Sequence, residues 1–125
     1  TVIFLDTHAV VWLYQKDKDR FSDLALQLLE SDDLRISPAV SLELEYLYEI
    51  GRLTERSRTI LSWLGRSIRL REDDAAFTAV VEASLDASWT RDPFDRLIVA
   101  QASIHDAPLL SKDRTIRNHY RHARW

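Results

Sequence analysis

The sequence predicts an α/β fold, namely a three-layer α/β/α sandwich around a short, mainly parallel sheet. Short apolar runs typical of buried strands alternate along the chain with longer segments of helical periodicity. Only two glycines and three prolines occur among 125 residues, which indicates short connections. No repeat, low-complexity tract or linker divides the chain, so we expect one domain over residues 1–125.

The beginning of the chain predicts two strands and two helices. Val2–Leu5 is an apolar run rich in β-branched and aromatic residues, as buried strands are. Residues 7–15 form a strongly apolar helical pattern, and Ser22 is placed to cap a second helix. Residues 34–36 are short enough for a second strand.

The central part predicts two further helices. Ser37 followed by Pro38 is a helix start, because serine accepts hydrogen bonds from free backbone N–H groups and proline suits the first turn. This helix runs to about Ile50 and ends at Gly51, since glycine adopts the left-handed conformation easily. The next helix is predicted over residues 54–64.

The remaining elements complete the alternation. We predict a strand over residues 67–70, a helix from Asp73 through residue 81, and a helix from Asp92 to about His105. Leu109–Leu110 is a short apolar strand, and residues 123–125 add an edge strand. In open sheets of this kind, sites form beyond the carboxyl ends of the strands.

Composition limits the classes of protein to which the chain can belong. It has no cysteine, so disulfides and thiolate metal sites are excluded, and its histidines lack the spacing of zinc ligands. No run is long and apolar enough to cross a bilayer, and the first residues make a poor signal peptide. We therefore expect a cytoplasmic location and no membrane partner.

Basic residues are unevenly distributed, although the net charge is -3. Residues 52–71 contain six arginines and one acid, and residues 112–125 contain five basic residues and one acid. Eleven of the seventeen basic residues thus lie in two segments. They would suit a polyanionic partner, or they are merely solvated helix faces; the sequence leaves both interpretations open.

Four acidic residues are the candidate site: Asp6, Glu43, Asp95 and Asp113. Asp6 and Asp113 each follow an apolar strand, so both belong at the carboxyl edge of a parallel sheet. Carboxylates gathered around one point repel each other unless a cation or protons offset their charge. A hard divalent cation such as Mg²⁺, which prefers oxygen ligands, is the usual solution.

Each of these acids also has a structural explanation. Asp6 and Asp113 could cap the helices that follow them, and Asp95 could close a capping box at the start of its helix. Glu43 shares a helix face with apolar residues, so it needs a partner. That partner is either a bound cation or an arginine such as Arg96.

Five neighbouring residues are assigned supporting or structural roles. Asp92 is mainly a helix cap, and Arg96 either steers phosphate or pairs with a carboxylate. The hydroxyls of Thr7 and Ser111 hold a metal ligand or a metal-bound water, or they cap a helix. His8 is predicted to point away from the neighbours of the first aspartate.

The ordered set of motifs resembles the PIN-domain ribonucleases, and more narrowly the VapC-type toxins of bacterial type II toxin-antitoxin systems. The matching segments are residues 4–12, 37–43 with 51–53, 91–102, and 110–113 followed by Ile116, Tyr120 and Trp125. Many family members have histidine where this chain has Thr90 and threonine where it has Ser111. Neither departure removes a proposed ligand.

The resemblance implies a metal-dependent endoribonuclease. It implies that Mg²⁺ or Mn²⁺ is held by Asp6, Glu43, Asp95 and Asp113, as one ion or two. It further implies hydrolysis of RNA to products with a 5′-phosphate and a 3′-hydroxyl, inhibition by a cognate antitoxin protein, and a homodimer.

Other classes of protein fit less well. A phosphatase of the haloacid dehalogenase type needs a second aspartate where this chain has His8. A response-regulator receiver needs an acidic pair after the first strand, and the pair here is Asp6 and Thr7. The serious alternative is a non-catalytic PIN scaffold that acts through protein or RNA binding, although such a scaffold usually lacks at least one of the four acids.

Overall fold

The computed structural model describes all 125 residues, which form five strands and seven helices. The strands are β1 (Val2–Leu5), β2 (Asp33–Ile36), β3 (Arg71–Glu72), β4 (Leu109–Leu110) and β5 (Ala123–Arg124). The helices are α1 (Thr7–Tyr14), α2 (Asp23–Leu28), α3 (Pro38–Glu49), α4 (Ser57–Ile68), α5 (Phe77–Ser84), α6 (Pro93–Ser103) and α7 (Arg114–His119), and a 3₁₀ turn covers Lys18–Arg20.

The strands form one sheet in the order β3-β2-β1-β4-β5, and every neighbouring pair is parallel. The predicted three-layer α/β/α arrangement around a parallel sheet is confirmed. Because all strands point the same way, the residues that follow them lie along one edge. Asp6 follows the central strand β1, and Ser111 follows its neighbour β4.

Local sequence signals account for most helix ends. The hydroxyl oxygens of Ser22 and Ser37 accept from backbone N–H groups at the starts of α2 and α3, as predicted. Gly51 has a φ of 81° and follows the end of α3, which is the left-handed conformation expected of it.

Two predicted elements in the middle of the chain are misplaced. The helix predicted over residues 54–64 is α4, which begins at Ser57 and continues to Ile68. The strand predicted over residues 67–70 is therefore wrong, because its first half belongs to that helix. Arg69 ends α4 with a left-handed φ of 60°, and the strand begins only at Arg71.

The helix predicted to begin at Asp73 is also misplaced. Asp73 follows β3 directly, and α5 starts at Phe77. The Asp73 carboxylate accepts hydrogen bonds from Arg35 and Gln101, so it serves tertiary contacts and caps no helix. Hydrogen-bond donors from distant segments outweighed the preference of aspartate for capping a helix.

The core is one cluster of buried apolar side chains that lies between the sheet and its helices. Phe4 and Leu5 of β1, Leu109 of β4, and Ile98 of α6 are almost completely buried in it. None of the seven helices combines the length and apolar character that crossing a membrane requires.

Candidate active site

An open cleft of about 400 Å³ lies at the carboxyl edge of the sheet. All four candidate acids line it, together with Asp92. The complete lining is Asp6, Thr7, His8, Val11, Trp12, Glu43, Leu47, Arg52, Leu53, Asp92, Asp95 and Asp113. The fold thus brings residues from four separate segments of the chain to one concave surface.

Asp6 is buried at the base of this cleft and is held by two hydrogen bonds. One carboxylate oxygen accepts from the Thr7 backbone N–H at 2.8 Å, and the other accepts from the Ser111 hydroxyl at 2.7 Å. Ser111 reaches Asp6 because β4 pairs with β1. Asp6 therefore caps α1 and is also fixed in orientation by the neighbouring strand.

Glu43 reaches the cleft from α3 and is half-buried. Its carboxylate accepts a hydrogen bond from the Thr7 hydroxyl. Burial, reinforced by the nearby carboxylates of Asp6 and Asp92, raises the pKa of Glu43. The alternative that Glu43 pairs with Arg96 is wrong, because the Arg96 side chain donates instead to the Thr90 carbonyl at 2.9 Å.

Asp92 and Asp95 stand at the start of α6 and behave differently. Asp92 caps the helix by accepting from the backbone N–H groups of Phe94 and Asp95, as predicted. The Asp95 carboxylate accepts no hydrogen bond from the protein, so the proposed capping box does not form. Burial, together with the surrounding carboxylates, raises the pKa of Asp95 to about 7.

Asp113 lies on the other side of the cleft and caps α7 by accepting from the Ile116 backbone N–H at 3.0 Å. Its own backbone N–H donates to the Ser111 hydroxyl oxygen at 3.1 Å. Ser111 therefore links the β4–α7 turn to Asp6, which fixes two of the four acids relative to each other.

The His8 imidazole is a site residue that the sequence interpretation misplaced. It does not point away from Asp6, since its Nδ1 lies 3.6 Å from an Asp6 oxygen, while its Nε2 accepts from the Lys112 backbone N–H at 2.8 Å. Burial lowers the pKa of His8, in spite of the nearby Asp6 and Asp113. A neutral imidazole thus ties α1 to the turn that carries Asp113, a contact that no local pattern signals.

The remaining wall of the cleft is apolar. It is formed by Val11 and Trp12 of α1 together with Leu47 and Leu53, and the exposed Arg52 also lines the cleft. Trp12 is held in an aromatic cluster with His8, Phe21 and Trp125. The cleft therefore presents a carboxylate-rich half beside an apolar half.

The donor groups in the cleft fit a hard divalent cation. They are carboxylate oxygens, and burial together with their mutual repulsion raises the pKa of Asp95; a cation would relieve this repulsion. No three His, Asp or Glu side chains converge closely enough here to enclose an ion among themselves. The arrangement suits Mg²⁺, which is commonly bound by one or two carboxylates and keeps several of its waters.

Comparison with known proteins identifies a matching family and a similar fold. Residues 3–121 match the family model of the PIN domain. The chain is 36% identical to Ribonuclease VapC22 of Mycobacterium tuberculosis over 99% of its length and 95% of that protein. Its fold is similar to that of a chain in the crystal structure of VapBC2 from Rickettsia felis bound to a promoter DNA fragment, with a TM-score of 0.68, 19% identity, and coverage of 94% of this chain and 92% of that one.

Proposed function

The chain belongs to the PIN-domain family, and from this premise we propose that it is a divalent-metal-dependent endoribonuclease that acts in the cytoplasm as the toxin of a toxin-antitoxin pair. The observation that carries the proposal is the gathering of Asp6, Glu43, Asp95 and Asp113 in one cleft. Such a concentration of like charge is costly to a fold and is typical of a functional site.

The residues of the cleft have different roles in the proposed reaction. Because the carboxylates of Asp6, Glu43, Asp95 and Asp113 do not enclose an ion by themselves, they would hold Mg²⁺ or Mn²⁺ partly through its bound waters. The ion would supply an activated water and offset charge that develops on the phosphate. The Thr7 hydroxyl orients Glu43, and the Ser111 hydroxyl orients Asp6.

Arg52 in the lining contributes a positive charge that attracts the phosphate backbone toward an otherwise acidic cleft. Arg96 takes no such part, because its guanidinium is engaged by the Thr90 carbonyl and does not line the cleft. Asp92 acts on the site through the start of α6, whose first N–H groups it caps.

The test is cleavage of defined RNAs by the purified protein with Mg²⁺ or Mn²⁺, with chelator, and with the Asp6→Ala variant. We expect cleavage only by the wild-type protein with metal, leaving 5′-phosphate ends. Cleavage that persists in chelator or in Asp6→Ala would refute the proposal. RNA binding without cleavage under any metal would support the non-catalytic scaffold instead.

A cognate antitoxin is part of the proposal, since one chain of similar fold comes from a crystal structure of VapBC2. A basic side chain of the antitoxin could enter among the carboxylates and displace the cation, while apolar side chains cover Val11, Leu47 and Leu53. The test is to add the product of an adjacent small open reading frame and measure cleavage. Inhibition that weakens as Mn²⁺ is increased would support competition for the carboxylates.

We further propose that two copies of the chain associate through the exposed apolar face of α3 and α5. Leu42 and Tyr46 of α3 and Ile50, which caps its end, recur every four residues, and Phe77 lines an apolar depression with Leu42. Exposed patches of this kind mark interfaces. Light scattering should give a dimer for the wild-type protein and a monomer for Leu42→Arg; a wild-type monomer would refute the dimer.

A further inference from the structure

A second depression, larger than the acidic cleft, lies between α3, α4 and the edge strand β3. Its volume is about 780 Å³, and nine of the fourteen residues that line it are polar or charged. The residues that matter here are three arginines, Arg56, Arg58 and Arg71, and the hydroxyl-bearing Thr59 and Ser62. Nothing in the proposed cleavage mechanism uses this surface.

The acids in this depression are already engaged. Glu45 forms an ion pair with Arg56 and accepts from the Ser57 backbone N–H at 3.2 Å. Glu72 accepts from the Ser41 hydroxyl at 2.7 Å. Arg58, in contrast, is exposed and has no acidic partner. Arg71 pairs with Asp33 at 3.3 Å, so among the three arginines that line the depression only Arg58 has no ion pair and is free to bind an anion.

The exposed face of α4 extends this positive charge along one line. Arg58, Ser62 and Arg66 are spaced by four residues, so they lie on the same face, and Arg66 donates to the Ser62 hydroxyl at 2.6 Å. Arg69 follows at the end of the helix and is exposed. The helix contains no acidic residue.

An exposed aromatic side chain stands beside this face. Trp63 of α4 is 42% exposed, although its large indole is of a type that is highly buried on average. The ammonium group of Lys16 lies 5.7 Å from the centroid of its ring. An indole next to cations is typical of surfaces on which bases of a nucleic acid stack.

We propose that this surface is a second RNA-binding site, which holds the sugar-phosphate backbone of the substrate away from the point of cleavage. We call it the arginine groove and define it by Arg58, Thr59, Ser62, Arg66 and Arg69. Its arginines and hydroxyls are donors to phosphate oxygens, which gives affinity without reading sequence. The proposal rests on the proposed function, because it takes RNA as the substrate.

The arginine groove and the acidic cleft lie on opposite sides of α3. Glu43 lines the cleft and Glu45 lines the depression beside the groove, and two residues in a helix are about 200° apart around its axis. Arg52, just beyond the end of α3, also lines the cleft. A long RNA can therefore engage both surfaces, whereas a short oligonucleotide in the cleft engages only one.

An acidic protein segment is the competing ligand for a basic surface. The observations favour RNA, because regularly spaced arginines alternate with hydroxyl donors and an exposed indole lies beside them. A bound acidic peptide would need the arginines but neither the hydroxyls nor Trp63. The experiment therefore compares RNAs of different length and includes Trp63→Ala.

The main variant is Arg58→Glu/Arg66→Glu, and Lys18→Glu/Arg121→Glu makes the same change of net charge elsewhere on the surface. Binding is measured in chelator with Asp6→Ala as the background, so that no RNA is cut. The ligands are a structured RNA of transfer-RNA size and an oligonucleotide that fills only the cleft. Circular dichroism checks that each variant is folded.

We expect the main variant to bind the structured RNA at least tenfold more weakly, and to bind the oligonucleotide with a much smaller change. The slope of log affinity against log salt should become shallower by about 2, which is about 1 for each arginine that no longer neutralises a phosphate. Trp63→Ala should weaken binding of the structured RNA with little change in the salt slope, since stacking is not ionic.

Equal weakening by the main variant and the control variant would overturn the arginine groove, as would equal effects on the two RNAs. Loss of binding to a protein partner with unchanged RNA affinity would assign the surface to that partner instead. The two proposals fail separately. Wild-type protein that binds RNA through the groove but never cuts it would refute the nuclease alone, and cleavage with unchanged RNA affinity in the main variant would refute the groove alone.

Discussion

Asp73 is buried and Asp95 is half-buried, yet the surroundings of the two carboxylates move their pKa values in opposite directions. Burial alone would raise the pKa of Asp73, but hydrogen bonds from Gln101, His105 and Arg35 outweigh it and lower that pKa to about 2. Burial and four neighbouring carboxylates raise the pKa of Asp95 to about 7. Aspartate thus occurs in this protein once with hydrogen-bond donors around its charge and once without them.

The Asp73 side chain is completely buried, and donors surround it. Arg35 donates at 2.8 Å, Gln101 at 2.6 Å, and a ring nitrogen of His105 lies 2.9 Å away. The Gln101 amide oxygen in turn accepts from the Ser37 hydroxyl at 3.3 Å. This network joins β2, α3 and α6, so Asp73 supports the fold.

Asp95 has acids around it, and neither a side chain nor a backbone N–H donates a hydrogen bond to its carboxylate. A structure tolerates such a residue only at a cost in stability, which a ligand can remove. The comparison teaches that a buried aspartate by itself indicates nothing about function. What distinguishes Asp95 from Asp73 is that other carboxylates surround it and no donor of the protein contacts its side chain.

The largest expected effect is on RNA cleavage, which should depend on Asp95 and not on Asp73. Asp95→Asn should lower RNA cleavage more than about 10²-fold, because loss of residues that only support a metal ligand already costs about 10- to 100-fold. Asp73→Asn, assayed at a temperature at which it is folded, should cleave at nearly the wild-type rate. Initial rates with saturating Mg²⁺ test this, and comparable losses in both variants would contradict the comparison.

The next effect concerns stability, and here the order is reversed. Asp73→Asn should lower the free energy of unfolding by about 3 kcal/mol, because it removes one partner of a buried ion pair. This is the low end of the range for breaking a buried ion pair, because Arg35 still pairs with the Asp33 carboxylate at 2.9 Å. Urea unfolding measures it.

Asp33→Asn is the matched control for that measurement, because it removes the other, more exposed carboxylate from the same arginine. We expect it to cost less than Asp73→Asn. An equal cost in the two variants would mean that burial of Asp73 contributes nothing to its effect.

A smaller effect of opposite sign is expected at Asp95. Its folded-state pKa of about 7 is above the ordinary value, so its contribution to stability is fully present at acid pH and is lost as pH rises from about 4 to about 7. Asp95→Asn should therefore stabilise the metal-free protein above pH 7, by about 1 kcal/mol after allowance for solvent screening.

The free energy of unfolding of wild type and of Asp95→Asn, measured as a function of pH without metal, tests whether the substitution stabilises the protein. The difference in unfolding free energy between Asp95→Asn and wild type should grow from about pH 4 to about pH 7 and then level off. Asp73 behaves in the opposite way, since its stabilisation is lost as pH falls from about 4 toward 2. Lower stability of Asp95→Asn at neutral pH would indicate that the carboxylate supports α6 after all.

The smallest effect is stabilisation by the cation itself. At a Mg²⁺ concentration equal to its Kd, the wild-type protein should gain about 0.4 kcal/mol, because the ion binds only the folded chain. Asp73→Asn should keep this gain, and Asp95→Asn should lose most of it. Thermal unfolding with and without Mg²⁺ measures the difference, and Ca²⁺-free, chelated samples provide the baseline.

Much of the fold followed from short stretches of sequence. The apolar runs predicted β1 and β4 at their observed positions, and Ser37 with Gly51 marked the two ends of α3. The placement of Asp6 and Asp113 after parallel strands predicted that they approach each other, and both line one cleft. These inferences rest on local preferences and on the common direction of strands in a parallel sheet.

Errors arose where the deciding contacts come from far along the chain. β3 has only two residues and pairs with β2 alone, so hydrophobic periodicity could not predict it. His8 was misplaced because its partner, the Lys112 backbone, is 104 residues away. A separation of 105 residues likewise hid the role of the Ser111 hydroxyl as a donor to Asp6, which the sequence could offer only as one alternative.

The sequence by itself determined the order of strands and helices and the acids that follow the strands, because hydrophobic periodicity and capping act within a few residues. Only the tertiary structure decided which acids are satisfied. Asp73 meets Arg35, Gln101 and His105 across separations of 38, 28 and 32 residues, and Asp95 meets only other carboxylates. Charges interact through space, so the partners of a carboxylate are fixed only when distant segments pack together.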